Sequence, residues 1–409
     1  MGPFANRDLR IIVVAYGLSS LGDYLALITL TLRVADLTDS GWAISGLLLA
    51  GLVPLVVLAP VAGYLVDRFE TARVLTLTAL AQTGIALLLV PLDSPAAILA
   101  LFATLSAGFA ITQPALFALT PVAVGEEKTT EANAYLEMAR WGGATLGPLL
   151  AGWITATAGP DVALFGNAAT FLMVALAVPL LRVRRPPSQV AEAGTRKGEM
   201  RRGITYLARD RTLALVAGAV ALMVVFAAVD NVAEVFFARD VLGAGDVGYG
   251  ALITAWTLGM VAGASGIGRR LPDRFLARAV LLGPVGGGAA IALAAAMPSV
   301  PLALAAFLVG GVANGVELVA MRSLIHRRAP EHLRGRVFAA YYGVVNAAQI
   351  AAMGLGGALM SAAGARASLL IGGLGTLAVG AGGLLLYAWA AARKRLDPAT
   401  NPGYSTTDS

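Results

Sequence analysis

The chain has 409 residues, 58% of them apolar and 13% charged, with a mean hydropathy of +0.77 and a formal charge of +6. These proportions exclude a soluble globular enzyme and make a bilayer the solvent. Cysteine is absent, which excludes disulfides, thiolate metal sites and cysteine nucleophiles. His326 and His332 fall in one polar loop and read as a solvated pair, so no metal or other cofactor is expected. The basic residues are scattered between apolar runs with no nucleic-acid-binding pattern, so nucleic acid is not an expected partner.

Apolar runs of about 18 residues or more number twelve, near 9–34, 42–66, 74–92, 96–122, 132–158, 161–181, 213–238, 247–268, 275–297, 300–325, 335–362 and 367–391. Lipid offers no hydrogen-bond partners to an open backbone, so each run is expected to be a helix. The first is too long for a signal peptide, carries Asp23 and precedes eleven more. With both termini inside, 26 of the 30 basic residues fall in cytoplasmic segments; Arg33, Arg239 and Arg366 fall outside, and Arg140 within the fifth span. That bias predicts a multi-pass protein of the cell membrane with cytoplasmic ends. The expected units are 1–181, a basic linker 182–212, 213–392 and a disordered tail 393–409. The linker holds nine basic residues. It reads either as a short amphipathic helix on anionic inner-leaflet lipids or as a plain solvated connection.

Between the second and third runs lies Gly63-Tyr64-Leu65-Val66-Asp67-Arg68-Phe69-Glu70-Thr71-Ala72-Arg73. Leu65 to Leu75 and Leu271 to Leu281 agree at six of eleven positions, at an offset of 206 residues. A period of half the chain marks a repeated block, so two similar halves should stack face to face. Gly63 permits close helix approach, and Asp67 can accept hydrogen bonds from the free N–H groups of a helix start. Gly63, Asp67, Arg68 and Arg73, with Asp273 and Arg274 in the repeat, resemble the signature loop of the major facilitator superfamily of secondary transporters. Glu70 and Thr71 stand where that family usually has Gly and a basic residue. The resemblance implies an all-α membrane protein of twelve helices in two pseudo-symmetric six-helix bundles.

Charges inside a bilayer cost about 3 kcal/mol each on insertion scales, so those present are functional candidates. Asp23, Glu137, Asp230, Glu234 and Glu317 qualify. Asp23 shifted by 207 lands on Asp230, so the halves would present matched carboxylates to a shared cavity. Asp230 and Glu234, four apart, share a helix face. Asp23, Asp230 and Glu234 are the expected proton carriers. Against this, Glu137 and Glu317 read equally well as neutralised by Arg140 and Arg322, and Asp230 and Glu234 as paired with Arg239.

In the fifth span, Gly143, Gly147, Pro148 and Gly152 resemble the glycine–proline motif of the superfamily's exporter branches, with Ala151 as a departure. Glycines spaced by four let helices touch, and proline kinks the span. Ala132-Asn133-Ala134 and Leu333 to Phe338 resemble drug and siderophore exporters, including macrolide efflux pumps. Arg334 and Arg336 begin a helix, where the macrodipole disfavours cations, so Asp67 is an expected partner in the inner gate. Gln113, Trp141, Asn231, Asn314, Asn346 and Gln349 are cavity candidates or interhelical glue.

The three lysines, Lys128, Lys197 and Lys394, follow no glycine-rich phosphate loop, so an ion gradient is the expected energy source. The expected function is proton-coupled efflux of an amphipathic small molecule, such as a drug, macrolide or siderophore, by a monomer using alternating access. The alternatives are a proton- or cation-coupled uptake carrier, and a non-transporting sensor or scaffold. No nucleophile and base arrangement supports an enzyme.

Overall fold

The computed structural model describes Phe4, residues 6–186 and residues 196–396. In chain order the helices are α1 (Arg7–Leu37), α2 (Gly41–Val57), α3 (Ala59–Arg68), α4 (Thr71–Leu89), α5 (Pro95–Val124), α6 (Thr129–Ala158) and α7 (Pro160–Ala177). After them come α8 (Arg196–Arg209), α9 (Arg211–Phe236), α10 (Gly245–Ala262), α11 (Leu276–Ala296), α12 (Val300–Arg328) and α13 (Arg334–Leu396).

Local chemistry accounts for their ends. Asn6 caps α1 by accepting from the Asp8 and Leu9 amides at 2.8 and 3.3 Å. Asp210 caps α9 in the same way through Thr212 and Leu213 at 2.9 and 3.0 Å. Pro95 and Pro160 stand in first turns, where a missing N–H costs nothing. The expected second span is two pieces, α2 and α3, meeting at 50°. Pro54 inside α2 and Pro60 at the start of α3 remove two ladder donors around that break. The last two spans run on as α13, which turns at Gly364, where φ is 76° and a side chain would be strained.

Among the described residues, nine helices are long and apolar enough to cross a membrane, or up to ten with α2 and α3 as one span. The ninth covers 60 residues and is two crossings folded at Gly364. With α6, whose Glu131, Glu137 and Arg140 make it less apolar, these are the twelve expected spans. In the linker the described part is helical from Arg196, and α13 continues to Leu396, past the expected start of the tail at 393. The rest of that tail, and 187–195, lie outside the described residues. His326 also departs from expectation, since it sits in the last turn of α12 and only His332 lies in the connection.

In the first half α1 packs on α6 and α7, α4 on α5 and α7, and α2 on α5. In the second half α9 and α11 pack on α13, and α10 and α11 on α12. The halves meet through α6 against α10 and α2 against α13. At the end carrying the termini each half has its own core, one around Leu9, Tyr16, Leu75 and Leu136, the other around Leu213, Val280, Met321 and Tyr341. At the far end one core spans both halves, joining Leu32, Ile44 and Phe171 to Phe237, Leu252 and Phe307. The bundles therefore close against each other at the far end and hold separate cores at the terminal end.

Candidate functional site between the bundles

Two adjoining cavities lie where the halves diverge. The first, about 330 Å³, is lined by Asp230, Asn231 and Glu234 of α9, Tyr249 and Trp256 of α10, and Asn314 and Glu317 of α12. The second, about 450 Å³, is lined by Asp23, Phe102, Phe109 and Gln349. Tyr24, Leu27, Leu48 and Asn231 line both, so the two cavities adjoin across these side chains. Four of the five intramembrane acids thus face one region, and among the described residues no Lys, Arg or His lines either cavity.

Glycines seat two of these carboxylates. A methyl group at Gly372 of α13 would collide with Asp230 Oδ1, and one at Gly283 of α11 would collide with the Glu317 side chain. Asn314 Nδ2 donates to Glu317 Oε2 at 3.1 Å. Asp23 Oδ2 and Asp230 Oδ1 are buried without a hydrogen-bond partner among the described residues. A carboxylate held from water is stabilised by taking a proton or by a cation brought beside it, so these oxygens suit an exchange of one for the other. Trp256, packed edge-on to Phe307 at 6.1 Å between ring centroids, adds an aromatic wall.

The expected neutralising pairs divide. Glu137 does pair with Arg140, at 2.8 Å, and the guanidinium also lies 4.4 Å from the Trp141 ring. Glu317 instead takes Asn314, and Arg322 donates to the Tyr342 hydroxyl at 3.1 Å. Arg239 turns away from Asp230 and Glu234 toward Asp36 of α1 and Asp246 of α10, with its Nη1 on the Leu32 carbonyl at 3.4 Å. Asn231 and Asn314 line the first cavity and Gln349 the second, whereas Gln113, Trp141 and Asn346 lie outside both linings.

The gate loops are also engaged differently from expectation. Gly63, Asp67 and Arg68 sit in α3, and Asp67 Oδ1 accepts from Arg185 at 3.3 Å rather than capping a helix or meeting Arg334. Arg184 reaches Glu70 at 3.4 Å beside Arg73. In the repeat, Asp273, next to Arg274, pairs with Arg327 at 3.2 Å. Arg334 donates to the carbonyls of His326 and Ala329 at 3.1 and 3.3 Å, and Arg336 stands in the first turn of α13. Asp67 is thus tied to the linker, and Asp273 to α12 of its own half.

The glycines of α6 act as contact points. A methyl at Gly143 would lie 2.6 Å from the Leu21 amide, and one at Gly147 2.7 Å from Tyr24 Cβ, so α1 and its Asp23 depend on this close packing. Gly152 instead abuts the Asp246 carbonyl across the halves, and Gly250 abuts the carbonyl of Pro148. Thr254 donates to the Thr145 carbonyl at 3.0 Å in the same seam.

Sequence reasoning missed Tyr24, Tyr249 and Trp256 as lining groups, and the Arg239 cluster as a link between halves. Arg239 had a signal, since it lies 206 residues after Arg33, the repeat offset. Arg33 pairs with Asp93 and Asp161 at 3.2 and 3.0 Å inside the first half.

Residues 12–282 and 240–406 match the family model described as Major Facilitator Superfamily. The chain is 26% identical to the "Uncharacterized MFS-type transporter YfiS" of Bacillus subtilis (strain 168), over 97% of each chain. It is also 26% identical to the "Multidrug efflux pump Tap" of Mycolicibacterium fortuitum, over 91% of this chain and 94% of that one. Among solved structures it resembles the nucleoside transporter NupG (TM-score 0.73, 12% identity, 93% of this chain and 99% of that one). It also resembles a bacterial homolog of the lysosomal transporter Spinster (TM-score 0.70, 15% identity, 95% and 98%). Fold, sequence match and relatives agree, and the chain belongs to the Major Facilitator Superfamily, as a membrane transporter and not an enzyme.

Proposed function

We propose that this transporter exports amphipathic organic cations in exchange for protons, by rocking its two bundles about the acid-lined cavities. The observation that carries this reading is the grouping of Asp23, Asp230, Glu234 and Glu317 around two adjoining cavities with no basic lining residue among the described residues. Such a lining favours a cationic cargo with an apolar body, which Leu27, Phe102, Phe109 and Trp256 can cover. An amine-bearing drug or macrolide fits this chemistry, and an anionic siderophore does not. The likeness to a distant efflux pump and the α6 motif support the outward direction. The excess of basic residues at the terminal end supports a cell-membrane location with both termini cytoplasmic. In that orientation the present conformation is open to the cytoplasm and closed outside. The inner gate would then form when the terminal ends approach and free Asp67 from Arg185.

One proton exchanged for one monovalent cation moves no net charge, so transport is driven by the pH difference, at most about tenfold accumulation per pH unit. The test is transport of a fluorescent lipophilic cation by purified protein in proteoliposomes under an imposed pH gradient. The expected result is uphill cation movement against the proton flow. Collapsing the pH gradient should stop it, and Asp23→Asn should lose uphill movement while exchanging cargo downhill. Cation and proton moving in the same direction would make the protein an uptake carrier, and no flux for any cation would remove the cargo assignment.

A further inference from the structure

The described part of the linker is a built element. Tyr206 Oη donates to the Arg328 carbonyl at 2.6 Å, and Asp210 pairs with the Arg328 guanidinium at 2.8 Å. Gly203 lies so close to the Arg336 carbonyl that any side chain there would collide with it. Together these seat α8 against the end of α12 and the start of α13. The residues on its free side, Arg201, Arg202, Thr205 and Arg209, fall at helical spacing on one face. With Tyr206, His332, Leu333 and Arg336 they line a cleft of about 660 Å³.

Arg201, Arg202, Arg209 and His332 line this cleft beside Arg336, which is itself engaged, and among the described residues the lining includes no carboxylate. Cations concentrated in one place repel one another, and fixed arginine forks match phosphate oxygens geometrically. The cleft adjoins the end of α12 and the start of α13, helices long and apolar enough to cross a membrane, and headgroup phosphates are found at the ends of such helices. Ile204, on the neighbouring side of α8, exposes 45% of its surface, as an apolar anchor beside the acyl region does.

We propose that this cleft binds a phosphate group, supplied by the headgroup of an anionic phospholipid, and that the bound headgroup clamps the linker to the second bundle. The linker tethers the two bundles, with Arg184 and Arg185 held on the first and Tyr206 and Asp210 on the second. A lipid bridging α8 and α13 therefore acts on the segment that must follow the bundles as they rock. This site is distinct from the cargo cavities, and its occupancy is measured without transport.

The experiment measures binding to the full-length protein in detergent by thermal shift and native mass spectrometry. The probes are phosphatidylglycerol, phosphatidylcholine and inorganic phosphate. The protein should bind and be stabilised by phosphatidylglycerol, with little response to phosphatidylcholine. The double variant Arg202→Gln/Arg209→Gln should weaken phosphatidylglycerol binding by about fivefold per arginine. Arg269→Gln/Arg270→Gln removes equal charge at the end of the segment following α10 and should leave binding unchanged. Unaltered unfolding in phosphatidylcholine shows that the variants fold. Equal stabilisation by inorganic phosphate, lost in the Arg202/Arg209 variant, would keep the phosphate site and make a soluble anion its occupant. Equal weakening in both double variants, or binding of neither phosphatidylglycerol nor inorganic phosphate by the parent protein, would overturn the proposal.

Discussion

The acids of the membrane region differ in what faces them, and that difference sets what each substitution does. Glu137 pairs with Arg140 three residues on, and neither residue lines the cavities. Glu137→Gln is accordingly expected to leave cation transport and pH coupling near parental values, as measured by proteoliposome flux. Glu317 faces the first cavity, with Asn314 as its partner. Glu317→Gln keeps the volume and removes one negative charge beside the bound cation. A charge pair at contact is worth about 4 kcal/mol at an effective dielectric of 20, so affinity for a cationic cargo should fall tenfold or more in equilibrium binding. A neutral cargo of the same shape should be affected little. Gly372→Ala probes the same chemistry from the helix behind the acid, because the added methyl meets Asp230 Oδ1. Overpacking of this kind costs about 1–3 kcal/mol. The expected outcome is a folded protein with a lower unfolding midpoint and weakened pH-driven transport, resembling Asp230→Asn in flux and differing from it in stability.

At the scale of a helix, Asp210 serves two purposes. It caps α9 through the Thr212 and Leu213 amides and pairs with Arg328. Partial burial by itself would raise its carboxyl, yet the Leu213 amide, Arg328 and the Thr212 amide outweigh that and hold it below the usual aspartate range. A folded value below the unfolded one gives stability that is full above the unfolded value of about 3.9 and is lost as pH falls through the folded value. Asparagine caps as well as aspartate, so Asp210→Asn removes only the ion pair, while Asp210→Ala also removes a cap worth about 1 kcal/mol. Thermal unfolding at neutral pH should rank parent above Asn above Ala. As pH falls from about 4 through the folded value the parent and Asn proteins should converge, while Ala remains lower. Persistence of the parent's full advantage at low pH would contradict the assigned role of the charge.

The two-bundle architecture was legible in the sequence because it rests on long apolar runs and on a loop repeated 206 residues apart, both insensitive to conformation. The expected spans 9–34 and 213–238 correspond to α1 (Arg7–Leu37) and α9 (Arg211–Phe236). The clustering of acids was legible too, since uncompensated charge in a span has few places to go. Gate partners were not. Asp67 and Arg185 are 118 residues apart, and nothing in their spacing marks them as partners. In the sequence Arg239 marks only the outer side, although in the structure it joins the bundles through Asp36 and Asp246. That latch makes a prediction about the whole molecule. The parent chain contains no cysteine, so a single introduced thiol reports accessibility without background. Ser45 is 2% exposed and lies against Gly357 in the α2–α13 seam, so Ser45→Cys places a near-isosteric thiol inside the closed far end. Arg239→Gln removes the cross-bundle attraction to Asp36 while leaving the α6–α10 glycine contacts intact. If the latch biases the equilibrium by about 1.4 kcal/mol, its loss raises the open population about tenfold. An impermeant maleimide added from outside should then label the introduced thiol about tenfold faster. Asp36→Asn should act alike, with no further gain in the double variant, because both remove one interaction. Unchanged labelling in both variants would mean that the far end is held by its shared apolar core and glycine seams, with the arginine cluster contributing nothing to closure.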